Sequence, residues 1–181
     1  MIEECKKISL KKYSDHRGFF MESFNKDIES QIGARFVQDN CSYSKRNVIR
    51  GMHYQWDNPM GKLVFCPHGE IMDVVIDIRK GSSSLGKVYY FLLGGKNNDA
   101  LWVPPGFAHG FQVMSDEAVV TYKCSSYYNK NGESGINPFD NSLNILWNYE
   151  ECLVKGIKRH IVSEKDMAAQ SFQDYCKDFK F

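Results

Sequence analysis

The chain has 181 residues, 43% hydrophobic and 25% charged, with a formal net charge of +1 at pH 7. That balance excludes a disordered chain and argues against a nucleic-acid coat or a surface that clings to anionic membranes. The length suits one domain with a sizeable core, and no Pro- or Ser-rich linker divides it, so a single domain over 1–181 is expected.

The N-terminus lacks an apolar stretch of signal-peptide length, and no apolar run is long enough to cross a bilayer, so a cytoplasmic protein is expected. Six cysteines at 5, 41, 66, 124, 152 and 176 stand singly, without a C-x-x-C, and are read as reduced thiols. Aromatic residues make up 14%, a load that suits strands and a pocket that stacks against rings.

Along the chain, Asn25 is placed to cap a short helix running to Gly33. Segments 36–43, 47–55, 62–67, 70–78, 86–93, 100–104, 109–114 and 117–126 are short, rich in Val, Ile, Phe and Tyr, and punctuated by Gly, Asn, Asp and Pro. This rhythm predicts an all-β sandwich or barrel with accessory helices. In 70–78, Met72, Val74, Ile76 and Ile78 form an apolar face, while Ile71, Asp73, Val75 and Asp77 form a mixed one that should meet something polar. The run 125–144 reads as an extended loop. Ser163-Glu164-Lys165-Asp166 reads as the capping opening of a C-terminal helix through about Cys176.

Candidate chemistry gathers on the strands. At the front, Arg17 and Glu22 stand among aromatics, and Gln38 and Asn40 share a strand face with Phe36. Arginine forks match phosphate oxygens and rings stack on nucleobases, so a diphosphate-linked nucleotide would use this set; surface ion pairs explain Arg17 and Glu22 well but Gln38 and Asn40 poorly. In Arg50-Gly51-Met52-His53-Tyr54-Gln55, His53 has no partner histidine nearby and reads as a general base or as a hydrogen-bonded core histidine. Arg50 would point away from it on a regular strand, and only a bulge near Gly51 would turn both into one cavity.

Lys62 alternates with Val64 and Cys66, and is either an edge lysine or a buried cation that meets an anion or a developing oxyanion. Tyr122 shares an apolar face with Val120 and Cys124, as a core tyrosine or as an acid opposite a histidine base. His109, after Pro104-Pro105-Gly106, is a pocket group or a turn imidazole. Asp166 favours a helix N-terminus, and only proximity to His53 would make it an orienting partner.

Taken in order, D-x-R-G-F-F-x-E-S-F, F-V-Q-D-N-x-S-x-S, V-I-R-G-M-H-Y-Q, G-K-L-V, G-E-I-M-D-V-V-I-D-I-R-K-G-S, W-V-P-P-G-F-A-H-G-F, Y-K-C-S-S-Y-Y and S-E-K-D cover roughly residues 13–167. This series resembles the dTDP-4-dehydrorhamnose 3,5-epimerase family. The resemblance implies a cupin-type β jelly roll, a homodimer, no metal and no cofactor, and a nucleotide-diphosphate-linked 4-keto-6-deoxy sugar as substrate. It makes His53 the base, Asp166 its partner, Lys62 the stabiliser of an enolate and Tyr122 the opposite acid. Arg17, Glu22, Gln38, Asn40, Arg50, His109 and Tyr128 match positions lining the nucleotide-sugar site, with the front segment reaching the neighbouring subunit. Departures fall at Phe65, where an arginine is common in the family, and at Asn137-Pro138-Phe139-Asp140 and Trp147-Asn148.

Three other functions compete. A metal-dependent cupin would need His53, His68 and His109 in an unfamiliar arrangement. A ketoisomerase moving the carbonyl between carbons 3 and 4 would share fold and nucleotide site. A silent nucleotide-sugar-binding module would have little use for an acid–base pair.

Overall fold

The computed structural model describes residues 4–147 and 160–181. In chain order its strands are β1 (Lys6–Ser9), β2 (Lys12–Asp15), β3 (Gly18–Met21), β4 (Gln38–Lys45), β5 (Ile49–Gln55), β6 (Lys62–His68), β7 (Glu70–Asp77), β8 (Val88–Gly94), β9 (Asp99–Val103), β10 (Phe107–Val113), β11 (Glu117–Cys124) and β12 (Glu133–Gly135). Two five-stranded antiparallel sheets, β1-β9-β6-β11-β4 and β12-β5-β10-β7-β8, face each other. The β2–β3 hairpin pairs only with itself. This is the cupin-type sandwich that the strand rhythm and the resemblance predict.

Period-two alternation divides the apolar residues among three layers. Between the sheets lie Val64, Cys66, Ile71, Val75, Leu93, Leu101, Val103, Phe107, Phe111, Val113 and Val120. Behind the β5 sheet, Ile49, Met52, Tyr54, Val74, Ile76 and Ile78 pack under Tyr175 and its neighbours. Behind the β6 sheet, Leu63, Ala100 and Trp102 receive Ile28 and Ile32 of helix α1 (Lys26–Ile32). Strand β7 therefore has the two faces expected of it: the even-numbered residues are covered by the C-terminal segment, and Asp73 on the odd face points between the sheets and meets His109.

Helix α1 is held as the sequence predicts, with the Asn25 side chain accepting from Ile28 N and Gly33 closing it at φ +76°. The C-terminal helix is not continuous. It consists of α2 (Glu164–Met167) and α3 (Phe172–Tyr175), because a second serine, Ser171, caps anew and the intervening Gln170 bridges to Ile136. Strands β1, β2, β3 and β12 are additional to those expected, and β12 lies inside the stretch read as loop. The five described cysteines are free, and Cys152 lies outside the described residues. Among the described residues no helix is long and apolar enough to cross a membrane.

Candidate active site

Strand β5 is distorted where the sequence requires it. His53 pairs with His109 and Arg50 with Phe111, so three steps on β5 span two on β10. The extra residue turns Arg50 and His53 to the same side of the sheet, the inner one. Gly51 makes this possible, since its φ is +130° and a Cβ there would lie 2.6 Å from Gly110 Cα. The Gly51–Met52 peptide is cis.

His53 is half-buried, and its Nε2 lies 2.7 Å from Asp166 Oδ1. Asp166 reaches it from α2, where Ser163 caps Asp166 N at 3.1 Å, and its Oδ2 accepts from Gly51 N at 3.3 Å. Burial acts to raise the Asp166 carboxyl, but the His53 hydrogen bond and charge, Gly51 N–H and Ser163 together hold it below the usual carboxylate range. An ionised carboxylate only accepts, so Nε2 of His53 donates to it and Nδ1 is the nitrogen that Asp166 leaves free.

A cleft of about 130 Å³ joins His53, Gln38, Asn40, Lys62, Tyr122 and Tyr128 with Tyr54, Gln55, Met60 and Glu133. Its walls come from opposite sheets: His53 from β5, Tyr122 and Lys62 from β11 and β6. Burial raises the Tyr122 phenol, with nearby Cys124 adding to it and Arg50 opposing, so it remains protonated at neutral pH. Burial pushes the Lys62 ammonium down, while Cys124, Asp73 and Glu133 push it back up. Asn40 pairs with Tyr122 across the strands and accepts from Gln38 Nε2 at 3.0 Å, a polar ladder beside the phenol.

Arg50 crosses to β4, donating to Ser44 Oγ at 2.9 Å and Tyr43 O at 3.2 Å. His109 is buried opposite His53 in the strand pairing with its Nε2 2.8 Å from Asp73 Oδ2, and it is not among the residues that line the cleft. Arg17 and Glu22 are not brought to the cleft by their own chain. Arg17 pairs with Asp15 at 2.6 Å, and Glu22 accepts from Asn25 Nδ2 at 2.8 Å. His68 stands at the far end of β6 from Lys62, 3.4 Å from Glu117. Among the described residues no three His, Cys, Asp or Glu side chains converge to hold a metal ion.

Four cleft residues, Tyr54, Gln55, Met60 and Glu133, were not among the sequence candidates, and two of them anchor its polar side. Glu133 on β12 accepts from Tyr128 Oη at 2.8 Å and Lys165 Nζ at 2.5 Å. Gln55 latches the loop that carries Tyr128, donating to Asn58 O at 2.7 Å and Tyr127 O at 3.1 Å and accepting from Asn129 N at 2.9 Å. Gln55 was detectable, because it alternates with His53; Glu133 in an Asn-Gly-Glu-Ser-Gly run carried no periodic signal.

The sequence profile of the dTDP-4-dehydrorhamnose 3,5-epimerase family matches residues 1–174. The chain belongs to this family. It is 45% identical over 168 residues to the dTDP-4-dehydrorhamnose 3,5-epimerase of Shigella flexneri, covering 91% of this chain and 88% of that one. A solved dTDP-6-deoxy-D-glucose-3,5-epimerase from Legionella pneumophila, in complex with dTDP-4-keto-L-rhamnose, superposes with TM-score 0.87 at 43% identity, covering 95% of this chain and 89% of that chain. A 3'-monoepimerase from Streptomyces bikiniensis, in complex with dTDP-quinovose, superposes at TM-score 0.86 and 28% identity, covering 97% of this chain and 87% of that chain. Membership places this chain among the isomerases that act as racemases or epimerases on carbohydrates.

Proposed function

We propose that this epimerase inverts carbons 3 and 5 of a dTDP-linked 4-keto-6-deoxyhexose through enolate intermediates. One observation carries the reading: His53 and Tyr122 line the same cleft from opposite sheets, with Lys62 in that cleft. A ketone at carbon 4 acidifies the hydrogens at carbons 3 and 5. His53 takes one of them, the electron pair moves to the ketone oxygen, and the Lys62 cation stabilises the enolate. Tyr122 returns a proton to the opposite face of that carbon, which inverts the centre. Asp166 acts through His53 as a positioning residue. No metal enters this scheme. Single-centre inversion, as in the monoepimerase named above, would use the same residues and differ in how the ring is presented.

Gln38, Asn40, Arg50, His109 and Tyr128 hold the nucleotide sugar in this reading, with Tyr128, exposed on its loop, offering a ring for stacking. Arg17 and Glu22 complete the site across a homodimer. Their β2–β3 hairpin pairs only with itself and exposes Tyr13, Phe19 and Phe20 at 51%, 57% and 65%, apolar area that a second subunit would cover. The free thiols suit a reducing, cytoplasmic setting. Incubation with dTDP-4-keto-6-deoxyglucose in deuterated water tests the reading: proton NMR should show deuterium entering carbons 3 and 5 together with inverted product. A carbonyl moved to carbon 3 would instead establish a ketoisomerase.

A further inference from the structure

We propose that Gln55 is a positioning residue for nucleotide binding: its buried amide brackets Tyr128 from both sides along the chain and sets that ring for the base before the ligand arrives. The inference rests on the reading above, in which Tyr128 offers its ring for stacking.

Tyr127 and Tyr128 are 66% and 54% exposed, so packing beneath the rings does little to hold their loop. Ordering falls to hydrogen bonds. Gln55, the last residue of β5 and 4% exposed, donates from Nε2 to Tyr127 O at 3.1 Å and accepts at Oε1 from Asn129 N at 2.9 Å. Those two groups belong to the peptides on either side of Tyr128. One side-chain amide thus engages both flanking peptides, as the backbone of a neighbouring strand would, and fixes the φ and ψ that aim the Tyr128 ring.

The other Nε2 hydrogen goes to Asn58 O at 2.7 Å, in the turn that follows β5. With both N–H groups spent inside the protein, Gln55 has no donor left for a ligand, although it lines the cleft. Its part is played through Tyr128. Two further bonds hold Tyr128 itself, from its N to Gln38 Oε1 at 3.0 Å and from its Oη to Glu133 Oε1 at 2.8 Å, and both partners are less buried than Gln55. Water competes more readily for such bonds than for those of a buried amide. A loop that must be ordered when the ligand binds loses affinity to that ordering, and a latch closed beforehand removes the loss. Because His53 and Gln55 are alternate residues of β5, the strand that carries the base also sets the ring.

Gln55→Met keeps the length of the side chain and removes its amide. By isothermal titration, dTDP affinity should fall about tenfold in Gln55→Met, but less than about twofold when the same change is made in a Tyr128→Ala background, where the ring it positions is gone. In turnover, KM for the nucleotide sugar should rise by a larger factor than kcat falls, whereas a general loosening of β5 around His53 would strike kcat. Equal loss of affinity in both backgrounds, unchanged affinity in Gln55→Met, or a loss confined to kcat would overturn the proposal. Hydrogen exchange on the wild-type protein needs no variant. The Asn129 amide should be protected without dTDP and gain little when dTDP binds. An Asn129 amide that exchanges freely until dTDP is added would overturn the proposal, because the ligand and not Gln55 would then be ordering the loop. Wild type that binds no dTDP while Asn129 stays protected would remove the nucleotide reading and this role with it. Absence of epimerisation with dTDP binding intact would count against the epimerase reading alone.

Discussion

His53 Nε2 lies 2.7 Å from Asp166 Oδ1, a contact between residues 113 positions apart in the chain. It ties the distorted strand β5 to the short helix α2 and fixes which imidazole nitrogen is free. Replacing His53 by Ala should abolish exchange of ring protons with solvent. Asp166→Asn keeps the shape but loses the fixed tautomer, and should lower kcat about 10²-fold or more while dTDP binding is retained. Steady-state kinetics with isothermal titration of dTDP checks both.

Acid should loosen the same contact. The folded carboxyl of Asp166 is held below its unfolded value, so its contribution to stability is complete above the ordinary aspartate range and is lost as pH falls through the lower folded value. Thermal melts from pH 7 to pH 3 should show a smaller acid loss in Asp166→Asn than in wild type. Equal losses would mean that the contact contributes nothing to folding.

Tyr122→Phe separates removal of a proton from inversion. His53 and Lys62 remain, so deuterium should still enter the sugar, with return to the face it left. Epimerised product should fall about 10²-fold or more. If Tyr122→Phe forms product at the wild-type rate, the acid lies elsewhere.

The bulge in β5 predicts a sharp steric limit. Gly51 holds φ +130° with Gly110 Cα 2.6 Å from where a Cβ would sit. Gly51→Ala should cost about 2 kcal/mol or more, lowering Tm by roughly 4–8 °C, and should displace His53 from Asp166. Calorimetry and kinetics read the two effects together.

Much of this was legible in the sequence. Eight strands were marked by β-branched and aromatic runs, and Asn25, Gly33 and Ser163 marked helix ends by capping chemistry. The bulge was foreseeable from one glycine in a strand. What escaped had no local signal. β1 buries only Ile8, and β12 is three residues long and is defined by its pairing with β5. Ser171 broke the C-terminal helix because a cap and a helix interior use the same residue differently. Within the site, alternation placed His53, Lys62 and Tyr122 on their strands. That Asp166 lies against His53 is a tertiary fact, which only the ordered family blocks anticipated.

Arg17 offers a test of the subunit arrangement. If it serves the partner's site, mixing inactive Arg17→Ala and His53→Ala chains should restore about a quarter of wild-type activity, because half the dimers are mixed and each holds one intact site. Mixtures as inactive as their parts would place Arg17 in the site of its own subunit.

The central claim is that His53 and Tyr122 act from opposite sides of one ring. Its most direct test is the single-turnover fate of the carbon-bound proton in deuterated water, followed by proton NMR on dTDP-4-keto-6-deoxyglucose. Wild type should give inverted centres carrying solvent deuterium, Tyr122→Phe deuterium without inversion, and His53→Ala neither. Inverted product with the original hydrogen retained would contradict the account, because one residue would then be carrying the same proton from face to face.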